Sequence, residues 1–292
     1  MNSLDYKAEA RERLSGKWGF AIVLNIISSL FIFIIQFLLS KLLINWLFNL
    51  ILKDYTNIIL INLFKYIYKF VIFVISVPVQ YGLIQCYINL YNDEPVNIFD
   101  FILYGFSNFW YAIFLQLRIM FDFLMPTILL ILSGILIYIL PISFKIVYVF
   151  VILAYYIYMI IKLYNYRLSY FIFIDNEELL LPKKAITKSI LLMNNNRFKL
   201  FCLDLSFIGW MLLSIISYLV FSYSYNNSIL NSEFPFWSIP FFILGTAIIL
   251  FLIPYIMFSN ISFYYSLKEN NSKNDVPPDE YFDNLQKTIQ NS

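Results

Sequence analysis

The chain has no histidine, two cysteines and seven glycines among its 292 residues. Without histidine there is no imidazole to act as a general base, to bind zinc or iron, or to relay protons. Cys86 and Cys202 lie far apart in apolar stretches, which fits neither a disulfide framework nor a metal-binding spacing. The sequence therefore excludes much enzymatic chemistry, and both cysteines are expected to be buried as small apolar side chains.

Charged residues are also scarce, and this scarcity indicates the solvent. Asp, Glu, Lys and Arg make up 13% of the chain, whereas hydrophobic residues make up 61%. A soluble globular domain carries about 25% charged residues. Several apolar runs reach the roughly 20 residues that a helix needs to cross a bilayer. Because these runs are continuous and do not alternate, they predict membrane-spanning helices and not barrel strands.

The apolar runs predict about six spans. The first runs from Trp18 to Ser40 and follows a short, charged, amphipathic helix. The second begins at Ile58 or at Phe70, and the later start is favoured because it leaves two lysines at the outer interface. The remaining spans are predicted at 101–140, 142–163, 200–223 and within 236–267. The predicted fold class is thus an all-α, polytopic transmembrane bundle.

The polar segments define the ends of this bundle. Residues 1–269 are predicted to form a single integral membrane domain, and residues 270–292 a polar, partly disordered tail. Most of the 20 basic residues fall in segments that share a side with the N-terminus. Cytoplasmic loops are enriched in Lys and Arg, so both termini are expected in the cytoplasm.

Two charged residues interrupt the apolar run that ends at Leu140, namely Arg118 and Asp122. If the third span ends at Leu140, they lie about 33 Å and about 27 Å back along the helix, at its cytoplasmic edge. There Arg118 is expected to reach the headgroups and to pair with Asp122 at i,i+4 spacing. The alternative is an ion pair that faces a water-filled cavity.

Asp204 raises the same question in the fifth predicted span. It lies seven residues after Arg197, about 10 Å along a helix, and a carboxylate at that depth needs a partner. Arg118, Lys188 and Lys199 are candidates, and similar depth favours a pair of Asp204 with Arg118. The alternative is a packed serine or a backbone donor.

An amphipathic helix is predicted in the stretch PKKAITKSILLM, before the fifth span. Its position favours an interfacial location, where basic side chains bind anionic headgroups. The alternative is a connector that packs under the bundle. The candidate lipid contacts in and after this helix are Lys183, Lys184, Lys188, Arg197 and Lys199.

Pro78 with Gly82, and Pro254, are candidate helix interruptions of the kind that build substrate sites in transporters. The alternative is a proline-containing helix with a purely structural role. With 31 Phe, 24 Tyr and no GxxxG pair, helix contacts are expected to rely on aromatic side chains and not on close backbone crossings. Acidic residues that could hold Mg²⁺ near a lipid phosphate are Asp93, Glu94, Asp100, Asp175, Glu177 and Glu178.

Several blocks resemble a bacterial family of six-span membrane proteins catalogued as domain of unknown function nine-seven-five. They include ARERLSGKWGFAI, YRLSYFIFIDNEE and, most specifically, LDLSFIGW followed by PY and FYYSL. The resemblance extends to about residue 267 and implies a bacterial cell membrane protein. Two positions depart from the family pattern, because Pro141 lacks a following glycine and Asn195 stands near a usual glycine. Asparagine tolerates the left-handed backbone that such a position requires.

Three classes of function remain. The favoured class is a non-enzymatic protein that modulates or protects the cell envelope through lipids or a partner, including immunity to a membrane-active peptide. The alternatives are a transporter or permease component and an interfacial enzyme acting on lipid phosphates. The expected partners are membrane lipids and a membrane protein partner or a second copy, with no nucleic acid, no cofactor and no metal.

Overall fold

The structure, a computed structural model, describes residues 3–51, 58–138, 142–175, 181–231 and 236–272. Helices are the regular elements throughout these ranges, which confirms the all-α prediction. They are α1 (Ser3–Leu14), α2 (Trp18–Ile51), α3 (Ile58–Tyr91), α4 (Asp100–Ser107), α5 (Phe109–Tyr138), α6 (Ile142–Tyr166), α7 (Ser169–Asp175), α8 (Pro182–Met193), α9 (Arg197–Leu205), α10 (Ile208–Asn231) and α11 (Ile239–Ser272). A short 3₁₀ turn, Phe236–Ser238, precedes α11.

Within the described ranges, six helices are long and apolar enough to cross a membrane, which confirms the predicted polytopic bundle. The apolar segments fall mainly in α2, α3, α5, α6, α10 and α11. α3 is helical from Ile58, the earlier of the two predicted starts. The architecture is compatible with a multi-pass membrane protein.

Most of the buried side chains gather at one end of the bundle, which we call the base (residues 3–31, 77–117, 164–175, 181–207 and 252–272). The short helices α1, α4, α7, α8 and α9 lie there, packed against the adjoining ends of the long helices. Beyond the base, the long helices pack mainly as three antiparallel hairpins, α2 with α3, α5 with α6, and α10 with α11. Their outward side chains are apolar and exposed, as a lipid-facing surface requires.

Two predicted spans begin later than the sequence indicated. The run from residue 101 is broken at Asn108, whose side-chain amide donates to the Tyr104 carbonyl at the end of α4. The run from residue 200 is broken after Leu205, where the Ser206 hydroxyl donates to the Leu203 carbonyl at 2.6 Å. The membrane-spanning parts therefore begin at α5 and α10, and α4 and α9 belong to the base.

In the part of the chain that the structure describes, three residues with left-handed backbone let the chain turn sharply within the base. Gly16, Asp93 and Asn195 have φ angles of 77°, 63° and 64°. The value at Asn195 confirms that asparagine takes the left-handed position after α8. Pro141, Glu177, Glu178 and the predicted disordered tail from residue 273 lie outside the described residues.

Candidate functional site

Glu9 joins α1 to two long helices. Its carboxylate accepts hydrogen bonds from the Tyr91 hydroxyl of α3 and the Ser262 hydroxyl of α11, both at 2.5 Å. Tyr6, Ala10 and Leu14, which recur at helical spacing on one side of α1, are buried in the base. The predicted amphipathic helix is therefore docked on the bundle, and its apolar face is covered by protein.

Lys7 links α1 to the junction between α9 and α10. Its Nζ donates to the Ser206 carbonyl at 3.4 Å and lies 4.5 Å from the centroid of the Phe207 ring. Burial, with repulsion from Arg11 as a second cause, lowers the pKa of Lys7. A cation at this point stabilises the C-terminal end of α9, where the backbone carbonyls carry partial negative charge.

Asp93 forms an ion-pair cluster at the end of α3. Lys17 Nζ lies 2.5 Å from Asp93 Oδ1 and also donates to the Leu90 carbonyl at 2.6 Å, and Arg13 lies 3.3 Å from Asp93 Oδ2. The hydrogen bond from Lys17 holds the pKa of Asp93 below its ordinary value. An open recess of about 410 Å³ lies beside this cluster, lined by Glu9, Glu12, Arg13, Ser15, Lys17 and Asp93.

Asp175 ties the end of α7 to α11. Its carboxylate accepts hydrogen bonds from the Tyr264 hydroxyl at 2.7 Å and the Tyr265 hydroxyl at 3.4 Å, and Lys268 Nζ lies 2.5 Å away. Because these donors surround the carboxylate, Asp175 serves as a structural link. It does not present open oxygen ligands to Mg²⁺.

The predicted pair of Arg118 and Asp122 is confirmed. Arg118 Nη2 lies 3.6 Å from Asp122 Oδ1 on the same face of α5, and the Arg118 side chain is 52% exposed. The Tyr166 hydroxyl of α6 donates to the other carboxylate oxygen of Asp122 at 3.2 Å. The pair therefore also holds α5 to α6 near the base.

The backbone of Asp122 has a partner that sequence reasoning missed. Pro126 has no N–H, so the Asp122 carbonyl four residues earlier loses its bond within α5. Lys162 Nζ of α6 donates to this carbonyl. The same ammonium lies 5.7 Å from the Phe123 ring and 5.5 Å from the Tyr158 ring. In the sequence, the feature that could have indicated this contact is the proline four residues after Asp122.

The predicted pair of Asp204 with Arg118 is wrong. Asp204 lies in α9, where its carboxylate meets Arg167 Nη2 at 3.7 Å and accepts a hydrogen bond from the Tyr164 hydroxyl at 3.1 Å. The depth estimate assumed one helix from residue 200 onward, but α9 ends at Leu205. Tyr164 lies in the last turn of α6 and Arg167 follows directly after that helix, so the two are close in sequence and both reach Asp204.

The five candidate lipid contacts do not form one surface. Lys183 and Lys184 of α8 and Lys199 of α9 are exposed, whereas Lys188 is half-buried. Arg197 Nε donates to Asn165 Oδ1 at 2.6 Å and so joins α9 to α6. The apolar side of α8 is buried against neighbouring helices. This packing agrees with the alternative interpretation of α8 as a connector under the bundle.

The predicted interruptions do not break their helices. α3 continues through Pro78 and Gly82, and α11 continues through Pro254. Gly82 instead permits a close crossing of α3 and α4, because a Cβ at this position would lie 1.9 Å from the Phe101 carbonyl oxygen. A Cβ at Gly105 would lie 2.2 Å from the Pro78 carbonyl oxygen. This crossing is an exception to the expectation that close backbone contacts are disfavoured, and aromatic contacts occur throughout the base as expected.

Across the described ranges, no group of three or more Cys, Asp or Glu residues is arranged to hold a metal ion. The family model described as "Protein of unknown function (DUF975)" matches residues 1–271. No curated protein and no solved structure matches the chain.

Proposed function

Because the chain belongs to the DUF975 family of proteins of unknown function, we propose a role from its own geometry. We propose that it is a non-enzymatic, multi-pass protein of the bacterial cell membrane. It modulates or protects the envelope by binding lipids or a membrane partner. Protection against a membrane-active peptide is the form of this role that can be tested most directly.

The observation that carries the proposal is the structural use of the acidic side chains. Glu9, Asp93, Asp175 and Asp204 join helices of the base through hydrogen bonds or ion pairs, and Asp122 joins α5 to α6 next to the base. A catalytic carboxylate needs open access to a reacting atom. These carboxylates hold the base together, which supports a structural or binding role over catalysis.

The surfaces left open support binding. Lys183, Lys184 and Lys199 are exposed at the base, and the three hairpins carry exposed apolar side chains. Basic side chains next to apolar surface are typical of contact with anionic lipids. The continuity of α3 and α11 through their prolines supports a purely structural role for Pro78 and Pro254 over the transporter alternative.

The test uses the full chain expressed in a sensitive bacterial host. We expect a several-fold rise in the concentration of a cationic pore-forming peptide that admits propidium iodide to half the cells. The matched control is Gly82→Leu, whose side chain would clash with the Phe101 carbonyl and prevent folding. Equal peptide sensitivity with and without the folded chain would contradict the proposed protection. A changed phospholipid profile would contradict the non-enzymatic assignment.

A further inference from the structure

We infer that α9 is a lipid anchor, whose exposed face inserts into an anionic leaflet while Lys199 binds the headgroup phosphate. This deepens the proposed function, on which it rests, because it names the lipid class and the helix that binds it.

An exposed apolar stripe runs without interruption from α9 into α10. Its members recur every three or four residues, so they lie on one side of a helix. Exposure is 74% at the first member and 62% at the last. The stripe consists of Phe198, Phe201, Leu205, Ile208, Leu212, Ile215 and Leu219.

A single hydrogen-bonded turn joins the two helices. Ser206 has helical φ and ψ values, the Phe207 amide donates to the Asp204 carbonyl at 3.0 Å, and the Met211 amide donates to the Phe207 carbonyl at 3.2 Å. α10 is one of the helices that are long and apolar enough to cross a membrane. The exposed face of α9 is therefore continuous with the lipid-facing surface of α10.

The other side of α9 fixes its orientation. Leu200 and Leu203 are fully buried, and α9 packs against α1 and α6. Lys7 binds the carbonyl end of the α9–α10 junction, and Arg197 is held by Asn165. With one side covered by protein, α9 has a single apolar face to offer, and that face points along the surface of α10.

The charge beside this face is positive. Lys199 is exposed next to Phe198, whereas the nearby carboxylate of Asp204 is compensated by Arg167 and Tyr164. A lysine beside aromatic rings that insert into lipid can extend its ammonium to the headgroup while its stem stays in apolar surroundings. The exposed lysine and the apolar face together favour insertion into an anionic leaflet. α8 offers exposed lysines without a free apolar face, so it cannot insert.

The test places a bimane probe at position 198 through Phe198→Cys, in a Cys202→Ser background where Cys86 is buried. The full chain is reconstituted in vesicles that contain brominated phosphatidylglycerol or brominated phosphatidylcholine at equal mole fraction. Both lipids should quench the probe, with about a five-fold preference for the anionic one, as expected for one lysine near an anionic surface. Lys199→Gln should remove this preference, and the matched control Lys184→Gln should keep it.

Absence of quenching by both lipids would place α9 in water and overturn the inference. Loss of the preference in Lys184→Gln, with its retention in Lys199→Gln, would assign the anionic lipid to α8 and also overturn it. The peptide-sensitivity test is read out separately. Protection without quenching would support the proposed function and refute the lipid anchor. Quenching without protection would support the lipid anchor and refute the proposed protection.

Discussion

Tyrosine hydroxyls are the recurring partners of carboxylates at the base. Each bond joins different elements: Tyr91 donates to Glu9, Tyr166 to Asp122, Tyr264 to Asp175 and Tyr164 to Asp204. A phenol donates a hydrogen bond without carrying charge, so it satisfies a carboxylate without a second desolvated ion. In a chain without histidine, tyrosine supplies the polar end and the apolar ring that a membrane boundary requires.

The cluster around Asp93 predicts a loss of stability in acid. Lys17 holds the pKa of Asp93 below its ordinary value of 3.8. The contribution of the pair is therefore full above that value and is lost as pH falls through the lowered pKa. We expect Asp93→Asn to melt below the parent chain at pH 6 and to match it once Asp93 is protonated. Asparagine suits the positive φ at this position, so the variant removes charge alone. A melting difference that stays constant down to the acid limit would contradict this prediction.

The contact of Lys162 with α5 predicts a coupling between two substitutions. Lys162→Met leaves the Asp122 carbonyl without a donor, at a cost of about 1–3 kcal/mol in the free energy of unfolding. Pro126→Ala restores a backbone N–H that can bond this carbonyl within α5. We expect the cost of Lys162→Met to fall when Pro126→Ala is present, as measured by unfolding of all four chains in detergent. Equal costs in both backgrounds would show that the lysine acts independently of the proline.

Residue spacing predicted one pair and missed the other for a physical reason. Arg118 and Asp122 are four positions apart on one helix, so their contact follows from helical geometry alone. Asp204 meets Arg167 only because α9 folds back against the end of α6, and that packing brings together residues distant in sequence. The depth of a residue along a single helix could not predict this contact between helices.

At the level of helices, the apolar runs predicted the six long helices but did not separate the short helices α4 and α9 from the spans that follow them. Asn108 and Ser206 lie at short polar interruptions of apolar stretches, and hydropathy averages over them. Their side chains bond carbonyls of the preceding turn, and this local competition ends α4 and α9. The choice between an interfacial helix and a connector at α8 also depended on packing, since both readings share one amphipathic pattern.

The crossing of α3 and α4 predicts opposite effects for glycine substitutions. Gly82→Ala and Gly105→Ala place a Cβ against a backbone oxygen of the other helix, so each should lower stability by about 1–3 kcal/mol. Gly209→Ala in α10 is the matched control, because a Cβ there has no atom within 4 Å. It should leave stability unchanged or raise it by up to about 1 kcal/mol. Thermal unfolding in detergent measures all three, and similar melting temperatures would contradict the close crossing.

For the whole molecule, composition predicted the bundle but not the distribution of its core. The apolar content and run lengths indicate six spans. They do not distinguish side chains that face lipid from side chains that face protein, because both are apolar. The structure separates them, with full burial concentrated in the base and exposed surfaces on the three hairpins. The lipid-facing surface and the packed base therefore have the same apolar composition and differ only in what their side chains contact.

The last prediction concerns the direction of the base across the membrane. The N-terminal helix, the turn at Asp93 and helices α7 to α9 all belong to this end, so the basic segments counted as cytoplasmic lie together. The enrichment of Lys and Arg in cytoplasmic loops then predicts that the base faces inward. In a Cys202→Ser background, we expect Trp237→Cys, exposed at the far end, to react with an impermeant maleimide on intact bacterial cells. Lys184→Cys should react only after permeabilisation. The reverse pattern would turn the base outward and move the anchor of α9 to the outer leaflet.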